Sequence, residues 1–284
     1  MRPSASTRLV ALLGRPVSHS LSPVMMNAAF AEADLDLVYL ALPTPAEQLG
    51  SAVAALDAWR AAGANVTVPH KVAVMQHCDE LTDEASLVGA VNTLVWTADG
   101  IVGHNTDAVG LGQVLTGDLG IVAHDHVVVL GTGGAARAVA VATGRIGASC
   151  TVVGRRIAAA REVAAVADTA GAPAVDEVDL AEDDEVERQV GAARLVVNAT
   201  PLGLDGEELP QPFHQLEEGQ IAYDLVYNPP DTPFLVSARE RGAEAHYGLG
   251  MLVAQAAASY REWTGQDAPA ATMSAAAMGA LAHG

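Results

Sequence analysis

Lysine is nearly missing from this 284-residue chain: one residue, Lys71, accounts for all of it, and arginine supplies the other fourteen of 15 Lys and Arg side chains. Basic groups as a whole are outnumbered by 34 acidic ones, giving a formal net charge of −19. No basic stripe is available to neutralise phosphates or to hold an anionic lipid surface, so nucleic-acid and membrane partners are excluded as expectations. An acidic surface poor in lysine also suits a salty cytosol, where mutual repulsion is screened. Cysteine occurs only at Cys78 and Cys150, without metal-type spacing and in too small a number for a disulfide framework; a reducing, cytoplasmic setting is expected. Aromatics make up 4% of the chain against 50% hydrophobic residues, so the core must be built mainly from Ala, Val and Leu. Long apolar runs are absent too. The run at 9–13 reads as a first strand and not as a signal peptide, and nothing approaches the length that crosses a bilayer.

What is present is an alternation of short apolar runs with helical patterns. Strands are expected at 9–13, 38–42, 65–68 and 91–96, and helices at 23–33 and 45–62, each with proline near its first turn. Gly14 and Gly63 read as helix exits suited to tight turns. A second series begins near residue 125, with strands at 127–130, 151–153, 195–199 and 221–226 and helices from Gly134 to about Gly147 and from about Ile157. The charged stretch 176–188 reads as a loop followed by a solvated helix face. The patterns at 251–263 and 268–282 read as closing helices. Strands separated by helices imply an α/β fold with mostly parallel sheets, and 284 residues suffice for two domains.

Three features carry chemistry. Lys71 ends the segment Gly63-Ala64-Asn65-Val66-Thr67-Val68-Pro69-His70-Lys71. Arginine replaces lysine in a surface ion pair, but not as a proton donor, because guanidinium stays protonated while an ammonium can be tuned; compositional chance is the bland alternative. Gly131-Thr132-Gly133-Gly134-Ala135-Ala136 lies between a strand and a helix, where glycines let a dinucleotide pyrophosphate approach free N–H groups. An ordinary strand-to-helix turn is the alternative. The next strand ends in Gly154-Arg155-Arg156, and Arg155 lies 24 positions after Gly131 (155 − 131). An acidic residue there would accept from a ribose hydroxyl, whereas two guanidinium groups attract a 2′-phosphate. NADP is therefore expected over NAD.

Polar residues on apolar frames form a third group. Ser20 and Ser22 stand before the first helix, placed either to bind a small carboxylate or to cap the helix. Asn92-Thr93, Thr106-Asp107 and Gln255 each read either as substrate contacts or as caps and satisfied core groups. His70 reads as a helix-start residue, and His124 and His126 as solvent-exposed side chains; two histidines alone make no metal site, and none is expected.

Taken in order, Ser20-Leu21-Ser22-Pro23, Asn65-Val66-Thr67-x-Pro69-x-Lys71, Gly89-Ala90-Val91-Asn92-Thr93, Asn105-Thr106-Asp107, the glycine turn and Asn198-Ala199-Thr200-Pro201-Leu202-Gly203 resemble the shikimate dehydrogenases. So do Tyr223-Asp224-x-x-Tyr227-x-Pro229 and Gly248-x-Gly250-Met251-Leu252-x-x-Gln255, and the resemblance spans residues 8 to 264. It implies reversible reduction of 3-dehydroshikimate to shikimate with NADPH, in aromatic amino-acid biosynthesis. It also implies a substrate domain at 1–108 completed by 247–284, whose C-terminal helices pack back on it, and a Rossmann-type NADP-binding domain at 109–246. By the same resemblance, Lys71 and Asp107 form the catalytic pair. Ser20, Ser22 and Tyr227 hold the substrate carboxylate, while Thr67, Asn92 and Gln255 address the ring hydroxyls. Gly131, Gly133, Gly134, Ala135, Arg155, Arg156, Thr200, Val226, Gly248 and Met251 bind the cofactor. Met26 and His104 depart from common family residues, the first without expected effect and the second with an expected change in local charge. The rival readings are a dual quinate/shikimate dehydrogenase, which Ser22 and Arg155 oppose, and a non-catalytic sensor of pathway ligands, which the intact Lys71 and Asp107 oppose. A monomer or homodimer is expected.

Overall fold

The computed structural model describes residues 3–283, in two compact units: Met1–Gly110 with Val253–Gly284, and Leu111–Leu252. The first is built on a six-stranded sheet of order β2-β1-β3-β5-β6-β4. Its strands are β1 (Arg8–Gly14), β2 (Leu37–Pro43), β3 (Gly63–Val66), β4 (Glu80–Leu81), β5 (Thr93–Thr97) and β6 (Gly100–His104). Helices α1 (Ser22–Glu32), α2 (Leu49–Ala58) and α3 (Asp83–Val88) intervene, and α4 (Thr106–Gln113) follows β6. Strands β2, β1 and β3 are parallel, as strand–helix alternation demands, but β5 runs antiparallel to both β3 and β6. The β5–β6 hairpin escapes the alternation pattern because only the two residues Ala98 and Asp99 separate its strands.

Several expected boundaries move. Strand β3 stops at Val66, since Thr67 leaves the ladder to begin a turn in which His70 N–H donates to the Thr67 carbonyl. Strand β5 begins only at Thr93. The helix expected at 45–62 is a 3-10 turn, Ala46–Gln48, followed by α2; it ends where Arg60 takes a left-handed φ of 51°. Gly14 and Gly63 are not helix exits but strand residues, and space rather than turning explains them. A methyl group on Gly14 would meet the Thr67 side chain, and one on Gly63 would enter the indole of Trp263.

The second unit holds a fully parallel sheet of order β12-β11-β10-β7-β8-β9. Its strands are β7 (His126–Leu130), β8 (Ser149–Gly154), β9 (Val175–Asp179), β10 (Leu195–Asn198), β11 (Ile221–Asp224) and β12 (Glu244–Tyr247). Helices α5 (Gly134–Ile146), α6 (Ile157–Ala170), α7 (Asp183–Ala192) and α8 (Pro233–Glu240) connect them, a doubly wound arrangement. The charged stretch at 176–188 is thus mostly edge strand β9 and helix α7, not a loop. Only Val178 of β9 is buried, so the strand carries almost no apolar signal. Strand β11 ends at Asp224, two residues short of the expected limit. Helices α9 (Leu249–Thr264) and α10 (Ala270–Leu281) end the chain; its passage between the units lies within α4 and α9.

Scarce aromatics are spent at few places. Phe30 of α1 stacks on Tyr260 of α9 with ring centroids 5.8 Å apart, and Met26, one turn before Phe30 on α1, is a fully buried core residue. Elsewhere small residues bring elements close: Gly144 of α5 faces Ala167 and Ala170 of α6 with no room for a methyl group. In a sheet already packed to this density, added volume is costly. Gly63→Ala is expected to lower unfolding free energy by about 1–3 kcal/mol, seen as a lower urea midpoint at unchanged slope. An unshifted midpoint would show that Trp263 yields freely.

Candidate active site

Lys71 sits in the loop that follows β3, and three elements hold that loop. Its carbonyl accepts from Val91 N–H at 2.8 Å, Thr67 N–H donates to the Leu13 carbonyl of β1, and the buried His70 ring lies 2.7 Å from the Thr44 carbonyl. His70 is therefore no helix-start side chain; its ring ties the loop to the end of β2, while its carbonyl accepts from Val74 N–H. Lys71 Nζ donates to Asp107 Oδ2 at 2.6 Å. The lysine side chain is 25% exposed and the aspartate 7%, so a reachable ammonium is backed by a sequestered carboxylate. An ammonium has three hydrogens, and this contact uses one.

Asp107 lies in the first turn of α4, where free N–H groups and the helix dipole favour a negative charge. Asn105 begins that helix: its Oδ1 accepts from Ala108 N–H at 3.0 Å. Asn92 fixes the second carboxylate oxygen. Its Oδ1 accepts from Thr106 N–H at 2.8 Å, which turns its Nδ2 toward Asp107 Oδ1 and Thr106 Oγ1, both at 2.9 Å. Asn92 is buried, and both amide hydrogens have protein acceptors. Lysine, asparagine and aspartate, read separately from the sequence, thus meet in one contiguous group.

The remaining polar residues of the first unit lie at the start of α1, in the lysine loop, on β6 and on α9. Neither serine caps α1; Ser20 Oγ accepts from Ser22 N–H at 3.2 Å, and Ser22 is buried. Thr67 is half-buried in the lysine loop and fits because residue 14 is glycine. Gln255 stands on α9, where Gly110 lets α4 approach its backbone; an added methyl group would lie 2.6 Å from Gln255 N. His104 Nδ1 is 3.6 Å from Glu262 Oε2, too long for a hydrogen bond. Sequence reading did not single out Asn65, Tyr39 or Ser259, which lie beneath these groups. The spacing of Gln255 and Ser259, four residues apart on one helix face, was the available signal.

In the second unit a cavity of about 600 Å³ opens beside the glycine turn and is lined by Gly131, Gly133, Gly154, Arg155, Arg156 and Thr200, among others. Gly131 has φ of +126°, and an added methyl group would lie 3.0 Å from the Ala199 carbonyl. Gly133 and Gly134 differ: a methyl group on either would meet no protein atom within 4 Å. Nothing in the fold requires glycine there, and the space left open faces the start of α5, where N–H groups are free. Ala135 is the next residue of that first turn. Arg155 and Arg156 are exposed where α6 begins, so two guanidinium groups and a second helix N-terminus flank the same cavity. These residues fit a dinucleotide carrying an additional phosphate.

Thr200, Val226, Gly248, Met251 and the half-buried Tyr227 also belong to this unit. Gly248 must be glycine, because a methyl group would collide with the Leu225 carbonyl. Two of these loops share a buried anchor. Thr200 Oγ1 donates to Asn198 Oδ1 at 2.7 Å, Asn198 Nδ2 donates to Asp224 Oδ1 at 3.0 Å, and Val226 N–H donates to the same oxygen at 3.0 Å. Thr232 Oγ1 donates to Asp224 Oδ2 at 2.7 Å.

Other reactive side chains are quiet. Burial pushes the Cys150 thiol up to about 12 and Cys78 up to about 11, so neither supplies a thiolate at neutral pH. His124 is exposed, but His126 is not: its ring lies 2.9 Å from Thr151 Oγ1, and burial lowers its basicity. Among the described residues no group of three or more His, Cys, Asp or Glu side chains is arranged to hold a metal ion. No helix among them is long and apolar enough to cross a membrane.

Residues 12–94 match the model of the shikimate dehydrogenase substrate binding domain, and 248–278 that of the shikimate 5′-dehydrogenase C-terminal domain. The chain is 45% identical over 286 residues to the shikimate dehydrogenase (NADP(+)) of Moorella thermoacetica, covering 99% of this chain and 97% of the relative. Among solved structures it is similar to shikimate 5-dehydrogenase from Listeria monocytogenes in complex with shikimate and NAD, with a TM-score of 0.90, 30% identity, and 96% and 97% of the two chains covered. The Thermus thermophilus enzyme in complex with NADP(H) and shikimate gives 0.86 and 36%, covering 96% of this chain and all 100% of that one.

Asp224 yields a pH prediction. Its carboxyl is held above the usual carboxylate range, because burial opposes ionisation more than the bonds from Thr232, Val226 and Asn198 favour it. The unfolded chain gives up this proton first, so the folded state loses stability as pH rises from the ordinary carboxylate value through the folded one. Asp224→Asn cannot ionise. Its stability relative to wild type should climb across that window and level off above it, in denaturation series from about pH 4 to about pH 8. A constant difference would show that ionisation there carries no penalty.

Proposed function

The chain belongs to the shikimate dehydrogenase (NADP(+)) family, and from this we propose that Lys71 and Asp107 carry out reversible reduction of 3-dehydroshikimate to shikimate. The enzyme is an NADP-dependent oxidoreductase whose substrate is a small polyhydroxylated carboxylic acid. The observation that supports the site assignment is the 2.6 Å pair between Lys71, the chain's only lysine, and Asp107.

NADPH held in the glycine-turn cavity would supply the hydride for reduction of the ring carbonyl. Negative charge then grows on the carbonyl oxygen, where the Lys71 ammonium stabilises it and delivers a proton. Asp107 aims that ammonium through Oδ2, while Asn92 holds Oδ1 and stops the carboxylate from rotating. We assign Ser20, Ser22 and Tyr227 to the substrate carboxylate and Thr67, Asn92 and Gln255 to the ring hydroxyls. Gly131, Gly133, Gly134 and Ala135 would hold the pyrophosphate, Arg155 and Arg156 the 2′-phosphate, and Thr200, Val226, Gly248 and Met251 the nicotinamide end. The protein works in the cytoplasm as a monomer or homodimer, within aromatic amino-acid biosynthesis; two protonated, unpaired thiols suit that compartment.

Initial rates for shikimate and quinate, each with NADP and NAD, test the assignment; faster turnover of quinate would favour the dual-specificity reading, and binding without turnover the sensor. Lys71→Arg keeps the charge but not the transferable proton, and should lower kcat by about a hundredfold at near-normal KM for shikimate. Turnover close to wild type would remove Lys71 as the acid. Replacing Arg155 and Arg156 by alanine should raise KM for NADPH strongly and leave that for NADH little changed, since NADH has no 2′-phosphate to lose. Equal effects on both would place the arginines elsewhere in binding.

A further inference from the structure

Three buried hydroxyls form a triangle below the Lys71–Asp107 pair. Ser259 Oγ of α9 lies 2.9 Å from Thr93 Oγ1 of β5 and 3.0 Å from Thr106 Oγ1 of α4, and the two threonines are 3.2 Å apart. Ser259 and Thr93 are fully buried and Thr106 is 3% exposed. Asn65 Nδ2 of β3 donates into the triangle, to Ser259 Oγ and Thr93 Oγ1, both at 3.0 Å. Its Oδ1 in turn accepts from the Tyr39 hydroxyl at 2.8 Å. Ser259 lies one turn after Gln255 on the same helix, and its hydroxyl donates to the Gln255 carbonyl at 3.0 Å.

Proton accounting gives the cluster a direction. Ser259 has one hydroxyl hydrogen, and the Gln255 carbonyl takes it. Thr93 gives its own hydroxyl hydrogen to Asn92 Oδ1 at 3.0 Å, so the two lone pairs of Ser259 Oγ accept from Asn65 Nδ2 and the Thr106 hydroxyl. Thr106 Oγ1, in turn, accepts from Asn92 Nδ2, whose other hydrogen goes to Asp107 Oδ1. A Thr106 hydroxyl that donates to Ser259 keeps its lone pairs turned to Asn92. One that loses this acceptor turns its hydrogen toward Asn92 Oδ1, 3.1 Å away, or Thr93, and the asparagine amide loses the restraint that aims it at the carboxylate.

We infer that Ser259 is a positioning residue: through Thr106 and Asn92 it fixes the orientation of Asp107, and through the Gln255 carbonyl it registers that aspartate against the α9 turn carrying Gln255. The inference rests on the reaction assigned above. Ser259 reaches neither Lys71 nor the reacting atoms, and acts only by way of its neighbours.

The test uses the full-length protein with shikimate and NADP. Ser259→Ala and the isosteric Thr106→Val should each lower kcat about tenfold, a loss in keeping with one buried hydrogen bond, with KM for NADP within about twofold of wild type. The double variant should be no slower than the slower single one, because both act on one chain of bonds. Ser259→Thr, which keeps the hydroxyl, should recover most of the rate. Wild-type kcat in Ser259→Ala, or losses that multiply in the double variant, would overturn the inference. Should Ser259→Ala fail to fold, Ser259→Cys, close in volume but a weak donor, is read by the same criteria. A wild-type protein that turns over no shikimate sinks the assignment of function itself, an outcome distinct from all of these.

Discussion

A carboxylate that cannot turn is the constraint around which the first unit is organised. Asp107 is held by an ammonium on one oxygen and an amide on the other, at the start of a helix whose dipole suits its charge. Coulomb attraction alone would leave the pair free to swivel, and an exposed pair of this kind contributes little to stability. Here the carboxylate is buried and its second oxygen is committed, so the geometry of the pair is set by the fold. That arrangement requires Asn92 to point one way, and the Thr106 backbone N–H makes it do so. The backbone ties of Thr67 to β1 and of Lys71 to Val91, with the His70 ring on the Thr44 carbonyl after β2, complete the frame.

The second unit solves a different problem with the same economy. Its Asp224 is a buried carboxylate without a cation among the partners described, satisfied by an amide, a hydroxyl and a backbone N–H. Burial of this sort is costly unless every oxygen has donors. In return, one side chain fixes the ends of β10 and β11, from which the Thr200 and Val226 loops depart. The glycine turn relies on vacancy instead: Gly133 and Gly134 leave room that no protein atom fills.

Much of this was legible in the sequence, for identifiable reasons. Strands β7, β8 and β10 are buried on both faces, so they read as apolar runs, and glycines mark where α5 and α6 stop with positive φ. Strand β9 was missed because an edge strand with one buried residue has no periodic signature. Gly14 and Gly63 were misread because glycine signals both turning and close approach, and only the partner, Thr67 or Trp263, tells which. In the candidate site, Lys71, Asn92 and Asp107 stood out by residue type, whereas Tyr39, Asn65 and Ser259 resemble ordinary residues of apolar elements. Their role comes from contacts between residues up to 194 positions apart, which no local pattern encodes.

Having one lysine turns the proposed acid into a chemical address. Apart from the α-amine, amine-directed chemistry such as reductive alkylation or Schiff-base formation has a single place to react, and that place is one-quarter exposed. On the assignment proposed above, stoichiometric tagging of this protein through lysine would silence it rather than decorate it. The same fact makes covalent immobilisation through amines self-defeating here, whereas the 34 carboxylates offer many harmless handles.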